Sequence, residues 1–307
     1  MSGVSGSRPA ARHVLLGVFV LGVVVYIVAP MAIVVVNSFN SVAYQQFPPP
    51  GWSGRWYENL AEQDSFRSAA AYSLLLGVVS SAVALLVGTM AAYALTRRRV
   101  AGRALWQAAL LSPIVVPKIV LGVGLFIFFA RIGAYGSFAA LALAHALISL
   151  PFVVALLTAA LLGTDPSLEE AARDLGASAV GAFARVVLPR VWVPMVVAGL
   201  FAFITSFDQL ESTIFLTRPG STTLPIEMYD YTLKYQDPTV AALSTLVIAL
   251  GVVIVAVVGL LLRRGEAIGA LRRVQRSLVT SGAEGGPEVR PKVRTGETSG
   301  VGTVQQL

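Results

Sequence analysis

Six apolar blocks, each long enough to cross a bilayer, constrain this 307-residue chain more than any other feature. They run roughly over 14–36, 69–95, 105–130, 138–162, 191–216 and 239–262. A helix spanning the hydrocarbon core needs about 20 mostly apolar residues. Lipid offers no partner for backbone N–H and C=O groups, so such blocks close their hydrogen bonds internally as helices. The pattern predicts an all-α integral membrane protein with six transmembrane helices. A signal peptide has an apolar core of about 7–15 residues. The first block, Val14 to Val36, is longer and reads as a retained helix.

Charge then sets the topology. Only 13% of the residues are charged and 56% are hydrophobic, which excludes a water-soluble globular enzyme. The net charge of +7 sits between the apolar blocks, so it reads as a topology signal and not as a nucleic-acid surface. Arg8, Arg12, Arg97, Arg98, Arg99, Arg103, Arg263, Arg264, Arg272, Arg273 and Arg276 fall on one side of six spans. The opposite loops hold only a few basic residues: Arg55, Arg67, Arg131, Arg218 and Lys234. Basic loops stay inside, which puts both termini in the cytoplasm. The expected division is a cytoplasmic N-terminus over 1–13, a six-helix domain over 14–262 and a cytoplasmic tail over 263–307. That tail is polar and glycine-rich, with little to bury, and is expected to be disordered. The long outer loop over 37–68 carries Trp52, Trp56 and Tyr57, suited to headgroup depth.

Absences exclude several chemistries. There is no cysteine, and the two histidines, His13 and His145, stand far apart. No thiolate or histidine metal cluster follows from this sequence. Lys118, Lys234 and Lys292 are preceded by Pro117, Leu233 and Pro291, whereas a phosphate-cradling loop needs Gly before its Lys. Any ATP that this chain depends on is therefore hydrolysed elsewhere. An intramembrane enzyme would need a nucleophile with a base or a metal, and neither is in evidence.

The most informative segment lies between the fourth and fifth blocks, on the cytoplasmic side. In Asp165-Pro166-Ser167-Leu168-Glu169-Glu170-Ala171-Ala172-Arg173-Asp174-Leu175-Gly176, Asp165 is placed to cap a helix and Pro166 to open it. Glu169 and Glu170 lie near the positive end of the dipole, and Gly176 suits the stop. Leu168, Ala171, Ala172 and Leu175 fall on one stripe. A second short helix is expected over about Ser178 to Val187. The stripe fits a groove on another protein, with Glu170 pairing at its rim. The alternative is a surface helix resting on the bundle's own inner end.

Glu170-Ala171-Ala172, Gly176 and then Val186-Val187-Leu188-Pro189 resemble the signature of ATP-binding-cassette importer permeases. Val186 stands where that family more often has Ile. The resemblance implies that Glu170, Ala171, Ala172, Leu175 and Gly176 form a coupling helix seated in a cleft of a cytoplasmic ATPase subunit. It covers roughly residues 14–262, including Gly88-Thr89-Met90-Ala91-Ala92-Tyr93-Ala94-Leu95. Ser206-Phe207-Asp208, Leu224-Pro225-Ile226, Tyr229 and Pro238 look like the spermidine/putrescine branch, second permease subunit. Gln209 departs from that branch, which often has a second acid there. Relatives of similar outline take up opines or iron chelates. The resemblance implies two ATPase copies holding ATP and Mg, a distinct sister permease, an extracytoplasmic binding protein and no cofactor in this chain.

Ionisable groups inside spans are expensive and mark functional candidates. Lys118 follows Pro113 and Pro117, which loosen the third block; it either pairs with an acid, lines a watery path or snorkels. Asp208 and Glu211, three residues apart, are expected on one face at the outer end of the fifth span. They form either an acidic lining for a cationic solute, an interfacial acid pair, or an ion pair with Lys118 or Arg218. An ion-coupled secondary transporter would use the same three residues, but no inverted repeat is evident. His145 is expected to be a hydrogen-bonded packing residue.

Overall fold

The computed structural model describes residues 8–218 and 220–260, with side chains from residue 13 onward. The expected tail over 263–307 lies outside the described residues. Every element of regular structure among the described residues is helical, apart from one isolated bridge between Asn40 and Trp52. In chain order the helices are α1 (Arg8–Asn37), α2 (Arg55–Glu62), α3 (Asp64–Arg97), α4 (Arg103–Leu111), α5 (Lys118–Arg131), α6 (Phe138–Leu162), α7 (Ser167–Asp174), α8 (Ala179–Ala182), α9 (Leu188–Phe207), α10 (Leu224–Lys234) and α11 (Thr239–Leu260). Five spans are long and apolar enough to cross a membrane: His13–Asn37, Asp64–Arg97, Phe138–Leu162, Ala179–Phe207 and Thr239–Leu260. The pair α4–α5 supplies the sixth when its two arms are taken as one span.

That pair departs from the expected continuous helix over 105–130. Its arms meet at 103°. A short 3₁₀ turn, Ser112–Ile114, follows α4, and Pro117 then sits in an extended conformation at the start of α5. The prolines cause the break: each removes an N–H, and each ring clashes with the carbonyl four residues back. The fifth span also differs. It begins earlier, at Ala179, through α8 and one π-helical turn (Phe183–Val187), and it stops at Phe207 instead of reaching 216. Beyond it Gln209 is buried and a second 3₁₀ turn covers Thr213–Phe215.

The core joins α3, α6 and α9. Ala84, Ala92, Val153, Leu157, Val191, Ala198 and Ala202 are all buried there. Small residues let helix backbones approach closely where lipid supplies no hydrophobic drive between them. Gly88 illustrates the limit, since a Cβ there would lie 2.6 Å from Val153 Cγ1. A second cluster packs Leu76, Phe129, Ala140, Leu141 and Leu216, and a third joins Phe66 and Ala69 to Leu224, Tyr231 and Leu243. In contrast, α1 exposes its apolar side chains from Val14 to Ile33 and becomes buried only near Asn37.

Candidate functional site

Helix α7 holds the signature residues. It starts at Ser167, one residue later than the expected start, with Pro166 as the cap. Asp165 acts just ahead of it: its carboxylate accepts from the Ser167 backbone N–H at 2.9 Å. That bond holds the Asp165 carboxyl below the usual aspartate range. The stop is a Schellman motif. The Ala177 N–H donates to Ala172 O at 3.0 Å and the Gly176 N–H to Arg173 O at 2.9 Å. Gly176 has φ +90°, a left-handed conformation that disfavours any residue with a Cβ. The sequence ends this helix because glycine stands where the chain must reverse.

The apolar stripe faces away from the rest of the chain. Leu168 is 41% exposed and Leu175 91% exposed, while Ala171 and Glu170 are also exposed. The buried residue of α7 is Glu169, a carboxylate. Amphipathic helices normally do the reverse.

Glu169 is held by the C-terminal end of α3. The Tyr93 hydroxyl donates to it, and Arg97 Nε lies 3.8 Å from its Oε2. Arg97 is itself spent on the end of α6, where Nη2 donates to Leu161 O at 3.1 Å and to Thr164 O at 3.0 Å. Tyr93 also meets Phe183 edge-on, with centroids 5.2 Å apart. One carboxylate thus joins α7 to α3 and α6, and its Tyr93 partner touches the start of the fifth span. The sequence reading placed Glu169 by its dipole alone. A buried acid inside an exposed helix leaves a faint signal, namely two adjacent glutamates of which only one can share the exposed face.

The three intramembrane candidates come together in part. Lys118 Nζ lies 3.7 Å from Glu211 Oε2, both side chains being 47% exposed. Glu211 also accepts from Gln209 Nε2 at 3.1 Å. Asp208 does not share a helical face with Glu211, because α9 ends at Phe207 and Asp208 is its C-cap. Asp208 is exposed and makes no ion pair among the described residues. Close approach fixes the pair: α5 lies so near the 208–216 turn that a Cβ on Gly122 would be 2.7 Å from Ser212 Cα.

His145 is a packing residue within a chain of hydroxyls. Its Nε2 lies 3.0 Å from Thr213 Oγ1 and its Nδ1 2.8 Å from Ser206 Oγ. Thr213 donates its hydroxyl proton to Gln209 O at 2.7 Å, which leaves its oxygen to accept from the ring. That polarity assigns the proton to Nε2, with Ser206 donating to Nδ1. Every ring nitrogen is satisfied, as burial requires.

Comparison with known proteins places this architecture. Residues 84–265 match the family described as "Binding-protein-dependent transport system inner membrane component". The chain is 34% identical over 244 residues to the spermidine/putrescine transport system permease protein PotC of Escherichia coli (strain K12), covering 79% of this chain and 92% of that one. It is 32% identical over 237 residues to the putrescine transport system permease protein PotI of the same strain, covering 74% and 84%. Its fold is similar to that of a bacterial ABC transporter involved in the import of the acidic polysaccharide alginate. The TM-score is 0.64 at 16% identity, over 85% of this chain and 99% of that one. Such a subunit makes and breaks no bonds; the ATPase is a separate chain. The protein belongs to the inner-membrane permease components of binding-protein-dependent ATP-binding-cassette importers.

Proposed function

We propose that this chain forms one half of the solute pathway in an importer for polyamine-like solutes and takes its drive through α7. Two cytoplasmic ATPase subunits hold ATP and Mg, and their closure displaces the coupling helices. The bundle then switches between inward- and outward-facing states, a population shift driven by differential nucleotide affinity. A distinct sister permease completes the path, and an extracytoplasmic binding protein delivers the solute. Both termini lie in the cytoplasm, with 14–262 as the permease domain between them.

The observation that carries this reading is the inverted burial of α7. Leu168, Ala171 and Leu175 are left uncovered by the chain itself, while Glu169 is tucked in. A short helix with an exposed apolar stripe and Glu170 beside it matches what a groove on a partner requires. The resting-on-the-bundle alternative would bury that stripe. Gly176 and Ala172 contribute through the end of the helix, which fixes how far Leu175 projects.

The polyamine assignment rests on what PotC and PotI are named for and on Asp208, which offers a carboxylate to an ammonium at the end of α9. Glu211 contributes a second carboxylate that Lys118 half neutralises. The test is Glu170→Lys in the assembled system, with co-purification of the ATPase and uptake of radiolabelled putrescine and spermidine as readouts. The variant is expected to lose the ATPase and uptake together. Retained assembly and uptake would overturn the coupling assignment. Uptake of neither polyamine by the unmodified system would overturn the substrate class alone.

A further inference from the structure

Resting on that reading of α7, we infer that Glu169 is a positioning residue that makes the coupling helix and the inner ends of α3 and α6 move as one body. The links joining α7 to its neighbours are short and carry glycine, at Gly163 on one side and Gly176 on the other. A helix tethered only by such links would swivel when pushed, and the loops would absorb the displacement. Glu169 removes that freedom. It accepts from the Tyr93 hydroxyl and faces Arg97, whose guanidinium reaches Leu161 O and Thr164 O at the end of α6. Arg97 and Glu169 side chains are only 9% and 10% exposed, so water does not substitute readily for either partner.

The arrangement also divides labour between adjacent acids. Glu170 is exposed beside the apolar stripe, whereas Glu169 is buried against Tyr93 and Arg97. Glu170 meets the partner and Glu169 carries the motion inward. Transmission of this kind needs a contiguous chain of packed side chains, hydrogen bonds or ion pairs between the two sites. Here it runs α7, Glu169, then Tyr93 and Arg97, then the spans.

The test uses the complete importer in liposomes, with its ATPase, sister permease and binding protein, and Glu169→Gln or Tyr93→Phe in this chain. Glutamine keeps the shape and still accepts from Tyr93, but removes the charge facing Arg97. The readout is solute imported per ATP hydrolysed, which a loss of protein amount or stability alone would not move. Both variants are expected to keep the ATPase bound while the ratio falls roughly 2- to 30-fold. An unchanged ratio in both would overturn the inference. Should Glu169→Gln fail to assemble, Tyr93→Phe decides by the same ratio. If Glu170→Lys releases the ATPase while these two variants keep the normal ratio, the coupling helix stands and the positioning role falls. If Glu170→Lys keeps both assembly and uptake, the underlying reading of α7 is the one that fails.

Discussion

Two ion pairs of nearly equal length differ in everything else. Arg97–Glu169 closes at 3.8 Å with side chains about a tenth exposed, and Lys118–Glu211 closes at 3.7 Å with both 47% exposed. The first is accompanied by hydrogen bonds from Tyr93 to Glu169 and from Arg97 to the carbonyls of Leu161 and Thr164. The second has one further bond, from Gln209. Distance alone would rank them together; burial separates them. Breaking a buried pair leaves an uncompensated charge in a medium that solvates it poorly. Opening a half-exposed pair returns both ends to water. The buried pair therefore holds its partners in place, and the other pair can open without much cost.

Arg97→Met should give the largest effect and would break the comparison if it did not. It leaves Glu169 buried without its cation and Leu161 O and Thr164 O without their donor. A loss of about 3–5 kcal/mol is expected for a pair cut on one side. Denaturation of the purified chain in detergent would register it. A loss below about 1 kcal/mol, the range of exposed pairs, would mean that burial does not distinguish the two.

Lys118→Met tests the other arm. A cost of about 0.2–1 kcal/mol is expected, shrinking further as salt is raised. The same denaturation measurement, repeated at low and high ionic strength, checks it. A cost as large as that of Arg97→Met would show that Lys118 does structural work beyond the one contact. The break between α4 and α5 would then depend on it, since Lys118 opens α5.

How much of this could be read beforehand follows the same division. Apolar runs and basic flanks are one-dimensional signals, so a span such as Phe138 to Leu162, which carries His145, was legible. So was the stop at Gly176, because a left-handed residue after a helix has a preferred amino acid. The bend was half legible. Pro113 and Pro117 announce a weakness in the third block, but whether it yields 20° or 103° depends on what the arms pack against. The end of the fifth span at Phe207 was missed, because Leu210, Ile214 and Leu216 continue an apolar count that takes no notice of buried Gln209. Glu169 was missed as a partner for Arg97 and Tyr93. Those residues lie more than seventy positions apart from it, and no local pattern encodes such a pairing.

Asp165 extends the comparison to its far end, a fully exposed carboxylate with one strong partner. The Ser167 backbone N–H is the main cause of its lowered pKa, the Ser167 side chain adds to it, and the Arg97 charge contributes last. A carboxyl whose folded value lies below its ordinary value of 3.8 favours the folded turn while ionised. That contribution is complete above the ordinary value and is lost as pH falls through the lowered one. Protection of the Ser167 amide against hydrogen exchange should therefore hold down to about the ordinary value of 3.8 and drop only as pH falls below it in the unmodified chain. Asp165→Asn accepts the same bond without titrating, so its protection should keep no such step when the two are compared at each pH. The effect is expected to be the smallest of the series, confined to the first turn of α7. A step of equal size in both chains would show that the Asp165 carboxylate does not hold the first turn of α7.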